Sequence, residues 1–418
     1  MDVLYSHCCG IDVHKQTAVA CVVVPGPNGR PTKEIRTFGT LTDELLALAD
    51  WLEGSGVTHV AMESTGVYWK PLWNLMEDRF TLLLANAQHI KAVPGRKTDV
   101  RDCEWLADLL RHGLLKPSYV PDRSQRELRE LVRYRASLVH ERTAEVNRLQ
   151  KTLEGANLKL GDVTSVVVGV SGRAILQAIV GGQENPVVLA ELAQGRLRPK
   201  RAALERALSG RLADHQRFML AEQLCHMDAL EEMLERVSVE IARRLEPNNT
   251  AVELLDGIPG IGRRIAEILV AEIGSDMSRF PTAAHLASWA GMCPGNNQSA
   301  GKRLDGKVRS SNRWLRTALV EAAQAVAQTR GTYLGAQFRR LMRRPGKQKA
   351  AMAVVHSILV IAWHMLTRSA EYQDLGPSYF EERDRQLVER SLVRRLEGLG
   401  YRVALTPYSA APPSPSAA

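Results

Sequence analysis

Four carboxylates are the side chains in this sequence best suited to do chemistry. Asp12 sits in the apolar run CCGIDV, Glu63 closes VAME just before STGVYW, and Asp99 and Asp102 stand three apart in KTDVRDCEWLADLL. A carboxylate inside an apolar strand is costly unless something compensates it. Carboxylates that converge repel one another unless cations hold them, and hard oxygen donors suit Mg²⁺ or Mn²⁺. Two such ions can grip the attacking and leaving oxygens of a phosphodiester in an in-line displacement. Arg96, Lys97 and Arg101 would then face the nucleic-acid backbone. Taken singly, each acid has a plainer reading: Asp99 as a helix N-cap, Asp102 as a first-turn acid, Asp12 as a turn residue and Glu63 as a strand-end charge. The set of four in this element order favours chemistry.

The elements that must position these acids follow from local pattern. Residues 8 to 24 give two β-rich runs around a polar turn, and a third strand follows near Ile35 to Phe38. An amphipathic helix then runs from Thr42 to Gly54, followed by the strand VTHVAME, a helix from Tyr68 to Met76, the strand TLLLANA and the helix holding Asp102. A hairpin followed by alternating strands and helices implies a mixed sheet covered by helices. A first strand, a later strand end and a helix start would then bring the acids together.

The rest of the chain reads as helical. Long apolar stripes run from Ser124 to Leu153, with Arg135 and Arg142 intruding, and from Leu220 to Ile241; such stripes pair within a chain or between two copies. Residues 160 to 212 are helical with Gly-rich breaks. A helix–turn–helix begins near Ala251 through GIPGIG, and helices continue to Arg368. A charged helix and a Pro/Ser/Ala tail, expected to be disordered, close the chain. The boundaries expected are 1–120 for the α/β domain, 121–246 for coiled-coil helices with an insertion, 247–372 for an all-α domain, and 373–418 for the charged helix and tail.

At 418 residues and 45% hydrophobic, the chain can build two or three cores. Its 55 Lys and Arg against 46 Asp and Glu leave a formal charge of +9, which suits a polyanionic partner. The six cysteines form no C-x-x-C pair, and Cys8 with Cys9, or Cys225 with His226, lacks zinc spacing. With no secretory layout at the N-terminus and no apolar run near the ~20 residues that span a bilayer, a cytoplasmic protein with no membrane partner is expected. A sugar-kinase or actin-like ATPase also starts with a strand-borne Asp, but HKQTA is a poor phosphate loop.

GIDVHK, AMESTGVYW and KTDVRDCEWLADLL resemble the three N-terminal motifs of the DEDD transposases of the bacterial insertion sequence 110 family. The resemblance implies an N-terminal fold like the RuvC junction-resolving nuclease and ribonuclease H. It places the family's acidic tetrad on Asp12, Glu63, Asp99 and Asp102, as catalytic and metal-holding residues. GIPGIG, with Gly260, Gly262 and Arg263, is similar to a helix-hairpin-helix, whose glycine turn and helix N-terminus can meet a phosphate; a plain helical hairpin is the alternative.

The family's P-x-x-x-x-S motif is matched in CPGNNQSAGKRLDGKVRSSNRWLR, so its nucleophilic serine falls on Ser299, five after Pro294. On residue grounds alone Ser299 would be a loop serine, with no histidine beside it in sequence to act as a base. The resemblance further implies a transient phosphoserine link to DNA. It also implies donor and target DNA chosen by an element-encoded guide RNA, a dimer or tetramer whose composite site joins serine and tetrad, and a bacterial cytoplasm as the setting, with the protein nucleoid-associated when on DNA. The insertion and tail point to the insertion sequence 1111 branch.

Two basic clusters follow Ser299 in the chain. Residues 301–316 hold Lys302, Arg303, Lys307, Arg309, Arg313 and Arg316 against Asp305, and residues 338–349 hold six basic residues and no acid. Both are read as phosphate contacts rather than solvated faces. Tyr68 and Trp69, and His14 and His285, are read as structural. The competing readings are a RuvC-like endonuclease that uses water as nucleophile, and an inactive nucleic-acid-binding protein.

Overall fold

The structure, a computed structural model, describes residues 2–26, 30–63, 66–85, 102–293, 297–299, 302–305, 312–344 and 346–405, with 297–299, 302–305 and 386–388 described by their backbone alone. Asp99, Lys97, Arg101, Pro294, Lys307, Arg309 and the tail from 406 lie outside the described residues. The chain divides into two compact units, 1–123 and 124–418.

In the first unit, β1 (Cys8–Val13), β2 (Thr17–Pro25), β3 (Pro31–Gly39), β4 (His59–Glu63) and β5 (Thr81–Ala85) form one sheet in the order β3-β2-β1-β4-β5. The first three strands pair antiparallel, whereas β1–β4 and β4–β5 are parallel. Alternation along the strands sends Cys9, Ile11 and Val13 into a core with α1 (Thr42–Gly54) and α2 (Trp69–Met76), through Leu45, Leu48, Leu52, Leu72 and Met76. The opposite face, with Cys8, Cys21, Val23 and Ala61, packs on α3 (Asp102–Arg111) through Cys103, Leu106, Ala107 and Leu110. This five-stranded mixed sheet with helices on both faces is compatible with a ribonuclease-H-like domain. β3 is an edge strand and longer than its apolar pattern suggested, because its residues pair on one side only and face solvent.

The second unit is built on two long helices, α4 (Arg123–Gly155) and α5 (Asp214–Leu245). Their stripes meet within one chain and run antiparallel. Glu127 pairs with Arg244, Arg142 with Glu231 and Glu145 with His226, while Thr152 accepts from Gln223. The short helices between them, in the 160–212 region, bury Leu160, Ile175, Leu176 and Leu204 against Leu149, Leu153, Leu220 and Met227. That insertion closes one end of the helix pair.

Beyond α5 come α6 (Asn249–Asp256), α7 (Arg263–Ile273), α8 (Ala283–Trp289), α9 (Arg313–Gln328), α10 (Tyr333–Met342) and α11 (Lys347–Arg368). Gly260 lies in the α6–α7 turn with φ +86°, and a Cβ there would come within 2.4 Å of Val326 Cγ2 and 2.6 Å of Ala322 O. The glycine therefore serves close packing of the turn on α9 as well as the left-handed bend. At 22 residues, α11 is longer than the apolar run suggested and is, among the described residues, the one helix long and apolar enough to cross a membrane. It packs as a core helix: Val354, Val355, Ile358, Leu359 and Ala362 are buried, and Trp363 Nε1 donates to Phe280 O at 2.9 Å. The charged terminal segment forms short helices at Tyr379–Arg383 and Arg385–Glu397.

Candidate active site

The sheet register decides where the acids stand. Gly10 lies opposite Ala61 and Ile11 opposite Met62 in the parallel β1–β4 pair, so one step further Asp12 and Glu63 lie side by side at the C-terminal ends of their strands. Asp12 shares a strand face with Cys8 and Gly10, and Glu63 shares one with Ala61; this is the face covered by α3. An ideal Cβ on Gly10 would lie 2.4 Å from both Ala107 N and Cys103 O. The helix backbone thus rests on the strand, and its first residue, Asp102, is carried to the same face. A larger residue at position 10 would lift the helix away.

All three acids are half-buried. Asp12 Oδ2 lies 3.2 Å from His14 Nε2, an imidazole that is largely exposed. His14, read from sequence as structural, therefore touches the first acid of the set; the signal was its place two residues on, at the strand end. His285 bonds Thr282 Oγ1 at the start of α8, in keeping with its structural reading. Tyr68 is exposed and Trp69 packs edge-on against Trp73 beside the α2 core.

Among the described residues no three His, Cys, Asp or Glu side chains close into a metal-ligating group, and the fourth acid, Asp99, lies outside those residues. What the sheet and α3 supply is three hard carboxylate donors at one end of one face, a donor set whose chemistry fits a divalent cation. Cys103, next to Asp102, is buried and held above its usual value chiefly by that burial, with the Asp12 charge adding to it. It is a packed thiol, not a soft metal ligand.

In the second unit, Ser299 ends a short strand, β6 (Asn297–Ser299), paired antiparallel with β7 (Lys302–Asp305) in the register Ser299 to Lys302. The serine expected in a loop thus belongs to a two-stranded ribbon, whose ladder fixes its backbone as a loop would not. Gly262 N-caps α7 with open space where a Cβ would stand. Arg263 is half-exposed but engaged, with its guanidinium 3.3 Å from Glu267 and 3.1 Å from Asn249 Oδ1. Arg313 stacks on the Trp314 ring at 4.6 Å. A cavity of about 730 Å³ lined by Tyr333, His356, His364 and Tyr372 contains none of the candidate residues.

Comparison with known proteins agrees with both halves. A family model described as a transposase, DEDD_Tnp_IS110, matches residues 9–158, and one described as "Transposase IS116/IS110/IS902 family" matches residues 252–339. The transposase for insertion sequence element IS1111A of Coxiella burnetii is 23% identical over 295 residues, 69% of this chain and 72% of that protein. The insertion element IS110 43.6 kDa protein of Streptomyces coelicolor is 29% identical, covering 56% of this chain and 61% of that protein. The pilin gene-inverting protein of Moraxella bovis is 28% identical, covering 48% and 66%. The molecule is thus a transposase, an enzyme class that cuts and rejoins DNA. The chain belongs to the IS110 family.

Proposed function

We propose that this chain is the transposase of an insertion sequence of the 1111 branch, and that it cuts and rejoins DNA with Ser299 as nucleophile beside an acidic tetrad of Asp12, Glu63, Asp99 and Asp102. The observation that carries this reading is the β1–β4 register with α3 lying on Gly10, which sets Asp12, Glu63 and Asp102 at one end of one sheet face. Those carboxylates would hold Mg²⁺ or Mn²⁺. Such a cation, when bound, supplies positive charge to the phosphate oxygens of the scissile bond.

The residues of the chain do the rest. The Ser299 oxygen loses its proton and forms a bond to phosphorus as the bond from phosphorus to the departing deoxyribose oxygen breaks, and that oxygen takes up a proton. The resulting phosphoserine diester keeps the bond energy for rejoining, when a DNA hydroxyl displaces the serine. His14, against Asp12, is placed to orient that carboxylate. The α6–α7 turn would act as a helix-hairpin-helix, offering the open α7 N-terminus at Gly262 and Arg263 to a DNA phosphate, while Lys302, Arg303, Lys307, Arg309 and Arg313 flank the serine. Lys97 and Arg101 would contact the backbone beside the tetrad. Choice of donor and target falls to an element-encoded RNA, and the composite site implies a dimer or tetramer.

The test is an assay for protein covalently attached to cleaved DNA. Ser299→Ala should abolish the adduct. Asp12→Asn, Glu63→Gln, Asp99→Asn and Asp102→Asn should each slow cleavage about 10²–10³-fold, the scale of a lost charge stabiliser, without weakening bulk DNA or RNA binding. Undiminished cleavage by Ser299→Ala would replace the serine with water as nucleophile. Sequencing RNA that co-purifies with the chain tests the guide.

A further inference from the structure

We infer that the insertion between the two long helices binds an RNA loop, through a run of unpaired arginines that leads to a cavity sized for one unstacked nucleotide. Such a surface deepens the reading that an RNA accompanies this chain, on which it rests for the source of the RNA alone.

Residues 195–211 carry Arg196, Arg198, Lys200, Arg201, Arg206 and Arg211 against one acid, Glu205. They span a 3₁₀ helix, Gly195–Lys200, the helix Arg201–Ala207 and the residues just after it. Leu204 and Leu208 hold the segment to the core of the insertion. Lys200 Nζ donates to Val163 O at 3.0 Å, and Arg201 Nη2 to Glu191 O at 3.4 Å. The other four, Arg196, Arg198, Arg206 and Arg211, are exposed and have no carboxylate partner among the described residues. Around them, arginines are paired: Arg142 and Arg173 with Glu231, Arg217 with Glu184, Arg236 with Glu232, and Arg243 and Arg244 with Glu240. Like charges gathered without counterions repel and weaken the folded state. A polyanion relieves that cost, whereas a merely solvated face would be served as well by the pairing seen around it.

Arg211 also stands at a cavity of about 500 Å³, inside the ~300–1,000 Å³ range of small-ligand clefts. Leu158, Leu189 and Leu208 give it an apolar wall, and Gln183, Ser209 and Arg217 supply polar groups. The Arg217 guanidinium is held by Glu184 and Ile179 O, which makes it a fixed part of the wall. Gln183 Oε1 accepts the Asn185 N–H at 2.9 Å, which leaves its Nε2 as a donor to a base edge. The Ser209 hydroxyl donates to Glu205 O at 2.7 Å and keeps its lone pairs for the extra donor that the 2′-hydroxyl brings to each RNA nucleotide. Bases in duplex DNA are stacked and must be pulled out at a cost, whereas RNA loops present them already unstacked. Phosphates along the arginines and one base in the cavity are what such a loop provides.

Fluorescence anisotropy of the full chain tests this with three probes: a pool of RNA hairpins carrying a randomised loop, the stem alone as blunt duplex RNA, and DNA hairpins of the same sequences. Replacing Arg196, Arg198, Arg206 and Arg211 with Gln should reduce the slope of log affinity for the RNA hairpins against log salt by about 3, at about 0.7 per contact to a single strand. The thermal midpoint of that variant should be unchanged or higher, since repulsion is relieved. Gln183→Leu should weaken hairpin binding about 5-fold, the scale of one net hydrogen bond, with the salt slope and the blunt duplex unaffected. Ser209→Ala should weaken the RNA hairpins by a similar factor and leave the DNA hairpins unchanged. An unchanged slope in the quadruple variant, or hairpin binding by Gln183→Leu equal to the parent's, overturns the proposal. Equal losses on RNA and DNA hairpins in Ser209→Ala, or no loss on either, overturn the assignment to RNA. RNA absent from the purified chain would count against the guide, while these differences, read on added RNA, still decide the surface.

Discussion

Arg135 of α4 and Glu267 of α7 meet at 2.7 Å with both side chains almost fully buried. Burial pulls the Arg135 guanidinium below its usual value, and the Glu267 charge only partly restores it. Removing one partner leaves an uncompensated charge in the core, so Glu267→Ala should cost about 3–5 kcal/mol. Replacing both with apolar residues of similar volume should leave stability about unchanged or raise it by about 1–4 kcal/mol. Urea unfolding of the single and double variants measures both outcomes.

Gly10→Ala probes the acidic site without touching an acid. The added methyl would meet Ala107 N and Cys103 O, both backbone atoms that cannot rotate away. Overpacking of this kind costs about 1–3 kcal/mol, and relief by sliding α3 outward would carry Asp102 off the shared face. The expected result is a chain that stays folded near 25 °C, binds DNA like the parent and loses cleavage. Equal activity in the two would show that α3 does not set the position of Asp102.

Much of this architecture is legible in the sequence, because strand alternation and helix periodicity are local. The runs CCGIDV and VTHVAME announce their strands, and the motif at KTDVRDCEWL announces the start of a helix. What is not legible is pairing. Nothing in the sequence says that β4 lies beside β1, or that Arg135 and Arg142, polar interruptions in an apolar stripe, answer Glu267 and Glu231. Each such interruption is a sign of a partner, buried at Glu267 and half-buried at Glu231, that is found only in three dimensions. Glu272 is the same case: an acid late in an apolar helix, easily taken for a solvated end, that lies wholly inside. The ribbon at Ser299 was hidden because Asn, Gly and Ser favour turns, and the pairing of β6 with β7 overrides that preference.

The second basic cluster is smaller in effect than its composition suggests. Arg339 donates to Thr329 O at 2.8 Å, and Arg340 pairs with Asp384 at 2.8 Å while lying over the Phe380 ring. Arg343, Arg344, Lys347 and Lys349 are exposed and have no carboxylate partner among the described residues. Only these four are available to phosphates. Replacing all four with Ala should reduce the slope of log affinity against log salt by about 3–4, at about 0.9 per phosphate contact, whereas Arg339→Ala should leave the slope unchanged. Fluorescence anisotropy with duplex DNA across a salt series gives the slopes, and an unchanged slope in the quadruple variant would exclude this face from DNA contact.

The cysteines report on the first unit. Cys8, Cys9, Cys21 and Cys103 are buried around β1 and α3, while Cys225 is exposed. Burial pushes the Cys8 thiol up to about 11, against a smaller downward pull from Arg111, and pushes Cys21 up to about 12. A thiol reagent at pH 8 should therefore label Cys225 in the native chain and reach the four buried thiols only in denaturant, since the thiolate is the reactive form. These raised values also set a sign for stability. In the folded unit both thiols keep their protons at pH values where the unfolded thiols, near 9.0, ionise. The stabilisation is fully present below pH 9 and is lost as pH rises through about 11 and then about 12. Thermal unfolding from pH 8 to 11 should show a falling midpoint, and Cys21→Ala should lessen that fall by removing one of the buried thiols that contribute to it. A midpoint independent of pH over this range would mean that the thiols are not enclosed between β1 and α3, and the placement of Asp102 over the sheet would fall with them.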